Sequence, residues 1–258
     1  MRIINEKAIV VGFEEIDFDK FPNLKVVGCN ATSTEHIDDE CAKRGIKVIS
    51  LRGETEFLNT ITSTAEHTMG LILALSRNYK ASLNTQYYKD RDLYKGHTLS
   101  GKSLLLIGGD GRIGRQVQKM AKAFGMQVAI YEKHQPVEQL HELLQFSDVV
   151  SVHIPLLGNE GFFQKGYFSL MKPTSFFINT SRLGIVESGA LLWALKYDII
   201  FKSAVDFTDD LELVKYAKTH DNLILTPHCG GNTFEDRERT EEFIIMKVNQ
   251  HLHNVVSN

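Results

Sequence analysis

Short apolar runs alternate with amphipathic stretches from one end of the chain to the other, a pattern that predicts βαβ units and parallel sheets. In the first third the runs fall at Ala8–Val11, Leu24–Cys29 and Lys47–Leu51. A second series follows at Ser103–Gly108, Gln127–Glu132, Asp148–Ile154, Ser175–Thr180, Ile200–Val205 and Leu223–Thr226. Between the two, Ser63 to Asn78 puts Ala65, Met69, Ile72 and Leu75 on one face with Leu71 beside them, which predicts a helix. Glu66 in its first turn suits the positive end of the helix dipole. Tyr79 to His97 is polar and aromatic with few core positions, and predicts a helical arm or inter-domain connection ending at Gly96. The tail from Glu235 is charged at first and then carries Phe243, Ile244, Met246 and Val248 at helical spacing. The expected organisation is two α/β domains, with segments 1–78, 79–235 and 236–258.

A hydrophobic content of 43% suffices for two modest cores. The 29 basic and 32 acidic residues nearly cancel, so there is no sequence-wide basic footprint and nucleic acid is not an expected partner. No apolar run reaches the length that crosses a bilayer, and no signal-peptide pattern follows the N-terminus, so no membrane partner is expected. Cys29, Cys41 and Cys229 are odd in number, far apart and without metal-ligand spacing, which predicts a reduced, cytoplasmic protein. His67, next to Glu66 on a helix, fits a packed or capping residue, and His251 and His253 make a poor metal pair. No metal site is expected.

The stretch "LLLIGGDGRIGRQV", residues 104–117, changes the picture. Gly109, Gly111 and Gly114 fit G-x-G-x-x-G between a strand and a helix: a glycine for the turn, one for close approach to phosphate, one for helix–strand packing. Glu132 ends the next predicted strand, where an acid can accept hydrogen bonds from an adenosine ribose and repel a 2′-phosphate. NAD is therefore favoured over NADP, with Lys133 and His134 beside the acid able to soften the preference.

Further stretches line up in order: "LKVVGCNATSTEHIDDECAKRGIKVIS", "STAEHTMGLILALSRN", "SDVVSVHIPL", "LMKPTSFFINTSRLGIVESGALLWAL", "AVD" and "LILTPHCGGNT". Together with the glycine turn they resemble the D-isomer-specific 2-hydroxyacid dehydrogenases. The resemblance implies a Rossmann-like NAD-binding domain inserted into a smaller, flavodoxin-like substrate domain that starts one strand–helix unit late, with the C-terminal helix returning to that domain. It implies a homodimer, a small 2-oxo or 2-hydroxy acid as substrate, and a site in the cleft between the domains. It places Arg112 and Ile113 at the pyrophosphate, His153 and Pro155 near the adenosine and nicotinamide side, and Thr180 and Ser181 under the nicotinamide. Asp206 then contacts the carboxamide, His228 to Gly231 close the ring pocket with Gly230 among them, and Ala31, Thr32 and Ser33 hold the substrate carboxylate.

Reducing a 2-oxo acid needs a hydride, a proton on the carbonyl oxygen and a grip on the carboxylate. The Arg182 fork suits the carboxylate and carbonyl, and the His228 imidazole suits the proton. The sequence also departs from the family. Either Gly108 or Gly109 can serve as the first glycine, Leu183 follows the arginine where glycine is usual, and the 31–33 loop has lost its glycines. The glutamate that partners the histidine is replaced by Leu211. Asp210 and Glu212 flank it as candidate partners for His228, with Asp209 weaker, and solvated loop charges as the alternative for all three. The expected function is an NAD-dependent oxidoreductase. The rival is a dinucleotide-binding interaction or regulatory protein of the same fold without turnover.

Overall fold

The computed structural model describes residues 1–83 and 88–256. The first 61 residues form β1 (Arg2–Asn5), β2 (Ala8–Val11), β3 (Val26–Cys29), α1 (Glu35–Lys43), β4 (Lys47–Ser50) and α2 (Thr55–Leu58). Then come α3 (Ser63–Ser76), α4 (Tyr79–Ser82), β5 (Ser103–Ile107), α5 (Arg112–Ala123), β6 (Gln127–Tyr131), α6 (Val137–Phe146) and β7 (Val149–Val152). The chain continues through α7 (Lys165–Leu170), β8 (Phe176–Asn179), α8 (Ala190–Lys196), β9 (Lys202–Val205), α9 (Leu211–Thr219), β10 (Leu223–Leu225) and α10 (Phe234–Val256). They gather into two compact units, Met1–Ile61 with Asn232–Asn258, and Thr62–Gly231.

In the first unit the sheet order is β1-β2-β3-β4, with β2, β3 and β4 parallel and β1 antiparallel to β2. The sequence pattern did not predict β1, because three of its four residues are exposed and only pairing with β2 makes it a strand. Residues of β2 and β3 are buried on both faces, hence their unbroken apolar runs. Ile9, Val27 and Cys29 pack against Ile37 and Cys41 of α1, while Ala8, Val10 and Val26 pack with Ile244 and Val248 of α10. Gly28 lets α10 come close: a Cβ there would lie 2.6 Å from the Ile244 side chain.

The second unit holds a six-stranded parallel sheet in the order β10-β9-β8-β7-β5-β6. Leu104, Leu106 and Ile178 face Ala65, Met69, Leu71, Ile72 and Leu75 of α3 and Val117 and Ala121 of α5. Leu105, Ile107, Val150 and Phe177 face Leu140, Phe163, Phe168 and Leu191 on the other side. This α/β sandwich is the Rossmann-like arrangement that alternating runs predict. The packing of α3 on this core explains why the units divide after Ile61 and Gly231 rather than after residues 78 and 235. In the 79–97 connection, α4 and a 3-10 segment at Tyr88–Tyr94 are formed, and residues 84–87 lie outside the described residues. Lys80 donates to the carbonyls of His220 and Leu223, both at 2.8 Å, tying the connection to the α9–β10 turn.

The chain leaves β5, forms β6 on one side, and returns as β7 on the other. The strand order therefore reverses between β5 and β7 while every strand stays parallel, the place where such sheets open a crevice at their carboxyl ends.

Candidate active site

The glycine turn lies at that switch. Gly108, rather than Gly109, takes the left-handed turn at φ 84°, and a Cβ on it would sit 2.8 Å from the His153 carbonyl oxygen after β7. Gly109 is needed for a different reason, since its Cβ would meet the Ile130 side chain at 2.7 Å. Gly114 lets α5 lie against the turn; a Cβ there would be 2.5 Å from the Gly108 carbonyl oxygen. Gly111 caps α5, and the first intrahelical bond runs from Arg115 N–H to Gly111 O at 3.0 Å. The Ile113 and Gly114 amides precede that bond, so the helix offers N–H groups and its positive dipole end beside Arg112.

Glu132 follows β6, and its Oε1 accepts the Asp110 N–H at 2.7 Å, which sets the acid against the glycine turn. Lys133 donates to the Gly158 carbonyl at 2.8 Å. His153 bonds Ser151 Oγ through Nε2 at 2.9 Å, and its buried Nδ1 has no partner. Burial pushes this imidazole down to about 4, so it is neutral near pH 7. Pro155 is exposed, and its carbonyl accepts from Asn159.

The second cluster gathers at the carboxyl ends of β8, β9 and β10. Asp206, 2% exposed, is its hub: Oδ1 accepts the Thr226 hydroxyl at 2.5 Å and the Cys229 N–H at 2.9 Å, and Oδ2 accepts the Gly230 N–H at 2.7 Å. His67 Nε2 lies 3.3 Å from Oδ1 and 3.1 Å from Thr226 Oγ1. Burial alone would raise the Asp206 pKa, but the hydrogen bonds from His67, Thr226, Gly230 and Cys229 outweigh it and hold it at about 2. Gly230 must be glycine, because a Cβ would meet Asp206 Oδ2 at 2.7 Å. Within the chain its oxygens hold the turn that carries His228.

That turn holds His228 at φ 57°, its ring 5.1 Å from the Phe207 ring. On Phe207 also lies the Arg182 guanidinium, 5.6 Å from the ring centroid, with Nη1 donating to the Ser181 carbonyl at 3.0 Å. Ser181 Oγ donates to the Val152 carbonyl at 3.1 Å, and Thr180 pairs with Thr68 at 2.8 Å in the buried wall below. The sequence alone picked Arg182 and His228, but nothing in it marked Phe207 as the ring both contact. Burial, then the Arg182 charge, push the His228 pKa below its ordinary value of 6.5, against the opposing pull of Asp206.

Asp210 caps α9, its Oδ1 accepting the Glu212 and Leu213 N–H groups at 2.9 and 3.1 Å, and Glu212 is exposed in that helix's first turn. Asp209 and Asp210 line a cavity of about 380 Å³ with Leu183, Glu187 and Leu213. The carboxylate whose field raises the His228 pKa is Asp206.

In the first unit, Ala31 is buried, Thr32 exposed and Ser33 half-buried at the carboxyl end of β3. Arg52, which the sequence pattern did not single out, braces this loop: Nε donates to the Thr32 carbonyl at 3.3 Å and Nη2 to Thr34 Oγ1 at 3.2 Å.

Residues 69–230 match the sequence model of the D-isomer specific 2-hydroxyacid dehydrogenase, NAD binding domain. The chain is 36% identical to the D-3-phosphoglycerate dehydrogenase of Methanocaldococcus jannaschii over 84% of its own length and 43% of that protein. It therefore spans less than half of the curated relative it matches there. It is 32% identical to the glyoxylate reductase of Thermococcus litoralis, over 86% of this chain and 72% of that one. The structure superposes on the D-lactate dehydrogenase of Aquifex aeolicus complexed with NAD and lactic acid at a TM-score of 0.73 and 27% identity, covering 97% of this chain and 84% of that one.

Proposed function

The chain belongs to the D-isomer-specific 2-hydroxyacid dehydrogenases, and from that premise we propose that it interconverts a small 2-hydroxy acid and its 2-oxo acid with NAD as cofactor. The observation that carries the proposal is the meeting of Arg182 and His228 on one ring, Phe207, at the carboxyl ends of β8 and β10. The residues present suit a dinucleotide: glycines that no Cβ could replace, a helix opening beside them, and the orphaned His153 Nδ1 near the turn.

Bound NADH supplies the hydride to C2. Arg182 holds the substrate carboxylate and polarises the carbonyl with two charge-assisted hydrogen bonds. His228 gives a proton from an imidazole nitrogen to the carbonyl oxygen in reduction and takes it back in oxidation. Within the first unit, Arg52 keeps loop 31–33 in shape. The amides of Ile113 and Gly114 beside Gly111 would hold a dinucleotide pyrophosphate, Gly108 and Gly114 let the turn and α5 close together there, and Glu132 would accept from the ribose hydroxyls. The reading includes a homodimer and a cytoplasmic setting. It draws on three free thiols and on the absence, among the described residues, of any helix long and apolar enough to cross a membrane.

The test is an NADH fluorescence titration followed by turnover of a panel of 2-oxo acids, with light scattering for the dimer. Binding with no turnover on any acid would favour the regulatory protein without catalysis. Binding is expected to be tighter for NADH than for NADPH, because Glu132 repels a 2′-phosphate and Lys133 is directed to the Gly158 carbonyl. Glu132→Ala should narrow that gap; an unmutated protein that prefers NADPH refutes the assignment.

A further inference from the structure

The side chains of His67, Asp206 and Cys229 bring an imidazole nitrogen, a carboxylate oxygen and a sulfur within 4.8 Å of one another. We propose that these three groups form a zinc site on the turn that carries His228, and that zinc bound there acts as a reversible brake on turnover.

The geometry is close to what the ion requires. A tetrahedral zinc with nitrogen and oxygen ligands at about 2.0–2.2 Å sets those ligands roughly 3.3–3.5 Å apart. His67 Nε2 and Asp206 Oδ1 are 3.3 Å apart. The ion would take the place now filled by the contact between these two atoms, and the sulfur, within 4.8 Å of both, would close to the roughly 3.6 Å that its longer zinc bond of about 2.3 Å sets. The ligand set is also the right one. Imidazole, carboxylate and thiolate suit zinc and its analogue cobalt, whereas magnesium and calcium take oxygen ligands. Three protein ligands leave a fourth position for water.

Charge and protons balance. Asp206 is already ionised, and the neutral His67 ring, which donates through Nε2 to Asp206 in the free protein, would move its proton to Nδ1 to give the ion the Nε2 lone pair. The Cys229 thiol, whose pKa burial and the Asp206 charge raise, releases its proton to solvent as the Zn–S bond forms. One dication then meets two monoanions, so the filled site is neutral. Access is open, since the His67 side chain is 22% exposed and Cys229 is half-buried, while Cys29 and Cys41 are fully buried. Cys229 directly follows His228, so a sulfur pinned to zinc restrains the backbone that must present the imidazole. The braking role rests on the proposed dehydrogenase activity; the site itself does not.

The decisive experiment adds Co²⁺ and Zn²⁺ separately to the purified full chain. Cobalt should give a near-ultraviolet thiolate-to-metal absorption saturating at one ion per chain, which zinc displaces. Zinc should protect Cys229 from alkylation in the unmutated protein, as read by mass spectrometry. Cys229→Ser should abolish the absorption, and His67→Gln should weaken cobalt binding by roughly tenfold or more, at least the cost of losing an outer-shell partner. An absent band, a band that survives Cys229→Ser, or unchanged alkylation overturns the site. Turnover of an accepted 2-oxo acid should fall with zinc and recover with chelator. Zinc binding that leaves turnover unchanged overturns the brake, whereas a protein with no turnover at all would instead count against the dehydrogenase reading.

Discussion

Replacing His228 by asparagine is expected to lower kcat/KM for 2-oxo acid reduction by roughly 10²–10⁴-fold while leaving NADH binding intact. The choice of asparagine matters. His228 stands at φ 57°, a conformation that most side chains resist but asparagine tolerates. The turn should survive and the loss should be chemical. The pH dependence gives a second check. Reduction needs the imidazolium, and burial with the Arg182 charge lowers the His228 pKa. The profile for reduction should therefore be high at acid pH and fall through a midpoint below the ordinary value of 6.5. Oxidation needs the neutral ring and should rise through the same midpoint, then hold. Asp210→Asn and Glu212→Gln should leave both curves in place, because Asp210 caps α9 and Glu212 is exposed. Activity within a few-fold of the parent after His228→Asn, or a midpoint well above 6.5 that either acid variant moves, would refute the assignment.

Replacing Asp206 by alanine should cost about 3–5 kcal/mol of stability in the 62–231 unit and abolish turnover. The substitution leaves the Thr226 hydroxyl, the Cys229 N–H and the His67 ring without their acceptor in a partly buried place, and strands the buried Gly230 N–H. Because Gly230 has no side chain to fill the gap, the turn has no alternative packing. Acid unfolding reports on the same hub. The folded pKa of about 2 lies below the ordinary 3.8, so the carboxylate contributes stability above about pH 4 that is lost as pH falls toward 2. The displacement corresponds to about 2–3 kcal/mol. Asp206→Ala should remove that part of the acid dependence. Denaturant titrations at pH 7 and pH 3 measure both, and a variant as stable as the parent at both would show that the turn is held by something else.

Much of this architecture was legible in the chain. Unbroken runs such as Leu104–Ile107 are what a strand buried on both faces requires, and a glycine cluster between strand and helix fixes the turn. The Arg182 and His228 positions could be picked out because the stretches that carry them resemble those of the family in order, each following a strand in a parallel sheet, where carboxyl ends carry the chemistry. β1 was not legible: its polar edge pattern becomes a strand only through antiparallel pairing with β2. The capping role of Asp210 was not legible, because an acid near a catalytic loop and an acid capping a helix look alike until the helix at Leu211–Thr219 is seen.

The sequence by itself determined the buried strands of both sheets, since period and glycine placement are local and a strand covered on both faces must satisfy its own burial. Only the tertiary structure decided the partnerships. His67 meets Thr226 across 159 residues, Phe207 joins Arg182 to His228, and one buried carboxylate organises the turn. Such contacts depend on how distant elements stack, and the charge and hydrogen-bond demands of a buried group are set by neighbours that no local pattern names.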